Sequence, residues 1–137
     1  MDVQVAVLCD AATDSHGKLN LLGAFDTINA AELPVTHPFC TVALRLAFTN
    51  AEEGDHRLAL HFVDDDGHPV MDSIEVPVHI ALPDEAHFVT CNFIFNIQQL
   101  KFEAPGFYSI DLSLDGKLSG SIPLNVRHTP SQPPAEA

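Results

Sequence analysis

Apolar and polar residues alternate with period two along most of this chain, and β-branched and aromatic residues hold many of the apolar positions. That rhythm predicts half-buried strands and competes successfully against helix. Runs carrying it lie near Val3–Cys9, Leu19–Ile28, Phe39–Thr49, Arg57–Asp64, Val70–Ile80, Phe88–Ile97, Phe107–Leu114 and Leu118–Val126. Clusters of Gly, Pro, Asp and Asn separate them, so the expectation is an all-β, antiparallel β-sandwich of about eight strands, immunoglobulin-like in appearance.

The alternation assigns faces. Val42, Leu44, Leu46 and Phe48 fall on one side of the third run, with Thr41, Arg45 and Thr49 on the other. Leu58, Leu60 and Phe62 point inward from the fourth, leaving Arg57 and His61 outside; Val70, Ile74, Val76, Val78 and Ile80 share a face of the fifth. One wet and one dry face per strand is what a sandwich requires. Pro77 has no N–H for a ladder, which sends its strand to an edge or a bulge.

Parity also constrains the turns. The inward residues flanking Asp65-Asp66-Gly67 are all even-numbered, so the loop must be odd; three residues with Gly67 left-handed fit. The same reasoning around Asp115-Gly116 predicts a three-residue loop, Leu114-Asp115-Gly116, with Ser113 opposite Lys117 and Leu118 facing inward. Pro105-Gly106-Phe107-Tyr108 has the form of a tyrosine corner, in which the phenol ties down a loop; an ordinary buried tyrosine is the alternative. The division expected is a sandwich over residues 1–128 and a disordered, Pro-rich tail over residues 129–137.

Composition narrows the partners. Six basic against nineteen acidic residues give a formal charge of −13, which disfavours nucleic acid and anionic membranes. No apolar run approaches the length of a membrane span, and no signal-peptide pattern is visible. Cys9, Cys40 and Cys91 are odd in number, widely spaced and set among apolar residues, as reduced core thiols in a cytoplasmic protein would be.

Candidate chemistry is sparse. No nucleophile elbow, phosphate loop or HExxH motif is present, so no catalytic residue and no cofactor is assigned and an enzyme is the third-ranked reading. The eight histidines show no HxH or HxxxH pair that would mark a metal site. In an alternating sandwich the odd-numbered loops gather at one end, which would bring together Asp10, Asp14, Glu52, Glu53, Asp55, Asp84, Glu85 and Asp115. Such a pole could hold a cation through oxygen ligands, as calcium-binding sandwiches of the C2 kind do; plain solubility explains the same acids. Asp64-Asp65-Asp66 belongs to the other end and reads as turn chemistry. The sixth run is apolar on both sides, with Phe88 and Ile94 opposite Val89, Cys91, Phe93 and Phe95, and the first run places Leu8 opposite Val7 and Cys9. Strands of that kind need two covers, from within the chain or from another subunit, which makes Phe88, Ile94 and Leu8 a candidate interaction surface.

Two segments, Val5-Ala6-Val7-Leu8-Cys9-Asp10-Ala11-Ala12 and Gly17-Lys18-Leu19-Asn20-Leu21-Leu22-Gly23-Ala24-Phe25-Asp26, resemble the opening of a small bacterial family of uncharacterised proteins, a domain of unknown function. Asn96-Ile97-Gln98-Gln99-Leu100 and the Pro-Gly-Phe-Tyr run are similar to its later segments. The resemblance implies a bacterial, single-domain protein and transfers no site residues; Asp10 and Asp26 lie in its most recognisable parts. The reading is therefore a non-catalytic module for protein–protein association, as a homo-oligomer or accessory subunit. The alternative is a cation- or small-ligand-binding module.

Overall fold

The computed structural model describes residues 1–130. It is a β-sandwich of ten strands: β1 (Asp2–Cys9), β2 (Ala11–Ser15), β3 (Lys18–Leu22), β4 (Thr27–Ala30), β5 (Val35–Thr49), β6 (Gly54–Asp64), β7 (Ile74–Ile80), β8 (Phe88–Phe102), β9 (Gly106–Leu114) and β10 (Lys117–His128). One sheet has the order β1-β5-β8, the other β4-β10-β9-β6-β7, and β2 and β3 form a separate hairpin. All pairings are antiparallel except β10 with β4. The inward residues expected from the alternation meet in one core: Val42, Leu44, Leu46 and Phe48 from β5 with Leu58, Leu60, Phe62, Ile110 and Leu112.

Ten strands replace the expected eight for two local reasons. The run near Leu19–Ile28 breaks at Gly23, whose φ of +69° ends β3, and the chain then crosses to the other sheet as β4. Ala11–Ser15 has no apolar alternation and becomes a strand only because β3 folds back on it, from Ala11↔Leu22 to Ser15↔Lys18. Pro77 does lie on an edge, since β7 is the last strand of its sheet.

One turn follows the parity rule and one departs from it. Gly67 is left-handed at φ +83°, and Asp64 N–H donates to His68 O at 2.9 Å, closing the three-residue loop Asp65–Gly67. At Asp115-Gly116 the loop has two residues, not three: Leu114 pairs with Lys117, and both turn residues have positive φ, +53° and +81°. A bulge between Leu118 and Gly120 restores the parity afterwards, so Leu118, expected inward, is exposed. The Tyr108 hydroxyl donates to Ala104 O at 2.5 Å and the ring meets Phe102 edge-on, the arrangement of a tyrosine corner. Thr129, at the start of the expected tail, still donates its N–H to Ala30 O; residues 131–137 lie outside the described residues.

The β2–β3 hairpin lies against the outer face of the three-stranded sheet, where its strand β2 touches β5 and β8. Thr41 and Ala43, on that outer face, are fully buried. The second cover demanded by a doubly apolar sheet is thus supplied from within the chain. Leu8 faces the other way and is fully buried in the core, which removes it from any interaction surface.

Candidate functional site

The acidic pole assembles only in part, and the carboxylates of Asp115, Glu52, Glu53 and Asp55 in it are engaged. Asp115 Oδ1 accepts Arg57 N–H at 2.8 Å and Oδ2 meets His56 Nδ1 at 2.6 Å. The His56 contact, with the Arg57 N–H behind it, holds the Asp115 carboxyl below the usual range. Asp115, followed by the Glu52 carbonyl, raises the His56 pKa. Glu53 Oε1 accepts Leu82 N–H at 3.2 Å, Glu52 Oε1 accepts Thr49 N–H at 3.0 Å, and Asp55 Oδ1 meets His79 Nδ1 at 2.7 Å. Asp84 and Glu85 are exposed in the turn before β8.

Asp10 and Asp14 are placed elsewhere: β1 runs antiparallel to β5 and so ends, at Asp10, on the other rim, and the β2–β3 hairpin carries Asp14 over the outer face to Asn92. Asp14 accepts from Gly17 N–H at 3.0 Å and from Asn92 Nδ2 at 2.9 Å. Its carboxyl pKa is lowered, first by the Asn92 amide and then by the Gly17 N–H. Arg45 joins the same network, donating to Asn92 Oδ1 at 2.8 Å, to Gly17 O at 2.9 Å and to Gln4 Oε1 at 3.0 Å. These bonds latch the hairpin to β1, β5 and β8. Asp10 packs its carboxylate beside Gly23, where an added Cβ would lie 2.3 Å from Oδ2. Asp26 accepts from the Thr27 hydroxyl.

Among the described residues, the group geometrically able to share a metal ion is Asp64, Asp66 and His68. Asp64 Oδ1 already accepts the N–H groups of Asp66 and His68 at 3.0 and 2.8 Å, so the grouping is the turn itself.

A constellation that the sequence reading passed over lies on the outer face of the five-stranded sheet. A groove there is floored by Ala59, His61, Asp111 and Ser113 and flanked by Met71 and Leu118. Ser113 Oγ lies 3.4 Å from His61 Nε2, and the Ser109 and Ser121 hydroxyls donate to Asp111 Oδ1 at 2.9 and 2.8 Å. All three central residues are odd-numbered on strands with outward odd positions, a signal present in the sequence. That β6 and β9 are neighbours, with His61 opposite Asp111, was not. β9 is an inner strand paired on both sides, so its backbone N–H groups serve ladders instead of forming an oxyanion hole.

The flank formed by β7 and β8 is different in kind. β8 is an edge strand whose stretch Phe88–Leu100 contains no Asp, Glu, Lys, Arg or Pro. Its inward residues Val89, Cys91, Phe93 and Phe95 are half-buried, whereas their β5 neighbours Val42, Leu44, Leu46 and Phe48 are sealed. Phe88 is 59% exposed and Ile94 half-buried. On β7, Ile74 and Val76 are half-buried, while Val78 and Ile80 are buried.

Residues 4–127 match the model of a family of unknown function, DUF6941. The chain belongs to that family. The DUF6941 chain is also similar to parts of two much larger solved structures. One is a glycosyl hydrolase family 2 member from Bacteroides cellulosilyticus, at 18% identity and TM-score 0.44, covering 67% of this chain and 14% of that one. The other is a β-glucuronidase from glycoside hydrolase family 2, at 16% identity and TM-score 0.39, covering 67% and 10%. No curated protein matches the sequence. Among the described residues of this DUF6941 member, no helix is long and apolar enough to cross a membrane.

Proposed function

We propose that this domain is a non-catalytic protein-association module, an accessory subunit that works through the β8 flank of its smaller sheet. The observation that carries this reading is the contrast between two kinds of surface. The carboxylates of Asp115, Glu52, Glu53, Asp55 and Asp14 serve the fold by holding N–H groups or histidines, while β8 offers a long uncharged edge with half-exposed Phe, Val and Cys side chains. Exposed edges of that kind are normally blunted by Lys, Pro or a covering loop. Cys9 and Cys40 are free and fully buried, and burial pushes the Cys40 thiol up to about 11. Three free thiols suit the reducing cytoplasm of a bacterium.

Affinity capture from the native host tests this. Wild-type protein is expected to retain a stoichiometric partner that the Thr90→Lys/Asn96→Lys variant loses, with melting curves showing both folded. His61→Ala/Ser113→Ala, in the groove on the opposite face, is expected to keep it. Equal retention by the β8 variant, or loss only with the groove variant, would overturn the reading.

A further inference from the structure

We propose that the groove on the outer face of the five-stranded sheet binds a free organic cation, an amine or guanidine carried on an apolar body. The site lies on the other sheet from β8 and does not depend on the association reading.

The groove follows from side-chain sizes along one row. Glu75, Ala59, Ser113 and Leu118 lie side by side across β7, β6, β9 and β10. Two small residues thus sit between two long ones whose strands are roughly 14 Å apart, at about 4.8 Å per strand. Outward positions on an uncovered sheet face are ordinarily wet, yet Ala59 and Ser113 are only 6% and 7% exposed. Two walls account for this. On one side the segment before β7 is tied to the sheet by Val70 N–H, which donates to Phe62 O at 2.8 Å, and it presents Met71. On the other, the bulge after Leu118 turns that side chain outward beside Ser113. The trough holds about 920 Å³, the size of a small-molecule site.

Its floor has polar groups to spare. Ser113 Oγ is buried there, and its contact with His61 Nε2 at 3.4 Å is longer than a well-formed hydrogen bond. The hydroxyl therefore keeps capacity for a ligand. Asp111 stands beside His61 in the next row and gives Oδ1 to the Ser109 and Ser121 hydroxyls. Its Oδ2 has no hydrogen bond among the described residues.

Charge selects the ligand. Three carboxylates, Asp72, Glu75 and Asp111, line the groove with one guanidinium, Arg57, and Glu75 holds that guanidinium at 3.2 Å. Asp72 and Asp111 have no ion-pair partner among the described residues. The whole chain, at −13, adds a field of the same sign, so an anion is repelled and a cation drawn in. A bare metal ion matches the groove less well, because neither acid belongs to the group whose ligand atoms come close enough to share one. A cationic head on these carboxylates, with hydrocarbon between Met71 and Leu118, uses both the charge and the walls.

Phenylbutylamine is titrated into the full-length chain, with phenylbutanol and phenylbutyrate as neutral and anionic controls, and amide NMR spectra locate the binding. The amine is expected to shift the amides of Ala59, His61, Asp111 and Ser113 saturably, with affinity at least about tenfold above that of the alcohol. Phenylbutyrate is expected to shift none of them. Asp72→Asn/Asp111→Asn, shown folded by its melting curve, should bind the amine no better than the alcohol. Asp84→Asn, a loss of charge outside the groove, should leave the amine affinity unchanged. Equal affinities for amine and alcohol, an equal loss with Asp84→Asn, or shifts confined to other surfaces would overturn the site. Loss of the captured partner by Asp72→Asn/Asp111→Asn would make the occupant a Lys or Arg side chain of that partner and overturn the free ligand. Failure of the titration alone leaves the association reading intact, since that reading is tested by the β8 variant.

Discussion

His56 lies between two acceptors, Asp115 Oδ2 and Glu52 O, which the doubly protonated ring satisfies with both nitrogens, and its pKa is raised accordingly. A histidine whose pKa rises on folding adds stability below its unfolded value of about 6.5, and that stability is lost as pH climbs through the raised value. Asp115 has the opposite sign: its lowered pKa adds stability above about 3.9, lost as pH falls through the lowered value. The pair therefore contributes most between roughly pH 4 and 6.5. Asp115→Asn is expected to melt below wild type at pH 5.5, with the gap narrowing by pH 8.5; an unchanged gap would show that the ion pair is not what was removed. Gly23 gives a second test at this scale. Its left-handed φ and its contact with the Asp10 carboxylate leave no room for a Cβ. Gly23→Ala is expected to cost about 1–3 kcal/mol by chemical denaturation, part of it relieved in an Asp10→Ala background. Neither arrangement was legible in the sequence. His56 and Asp115 are 59 positions apart, and Asp10 looked like one more member of an acidic pole.

Between strands, the hairpin latch decides what the sandwich shows to solvent. Arg45 bridges Gln4, Asn92 and Gly17, joining β1, β8 and the hairpin turn to β5. Removing it with Arg45→Ala is expected to cost about 1–2 kcal/mol, because it unpairs several charge-assisted bonds at once. The amides of Ala11–Leu22 should then exchange before those of the rest of the sandwich. Uniform loss of protection would mean the hairpin is not an independently opening unit. Period-two patterning placed Arg45 on the outer face, and the structure keeps it there, opposite Asn92. What it did not show was β2, since Ala-Ala-Thr-Asp-Ser has no pattern of its own and owes its extended form to β3. The Asp115-Gly116 turn failed for a related reason: parity counts residues, and the bulge after Leu118 inserted one that no local signal announced.

For the molecule as a whole, the unequal sheets matter most. β8 ends the smaller sheet as a neutral edge, and the association reading follows from it. The sequence by itself determined the all-β sandwich, the inward set from Val42 to Phe48 and from Leu58 to Phe62, the edge position of the Pro77 strand and the doubly apolar character of β8. These are consequences of alternation and of proline's missing donor, properties each strand carries alone. Only the tertiary structure decided which strands are neighbours. That choice buried Leu8, drew Asp14 into the hairpin latch, set His61 beside Ser113 and gave β8 an unpaired side. Pairing depends on chain crossings between distant segments, and a period of two is blind to the identity of the neighbour it meets.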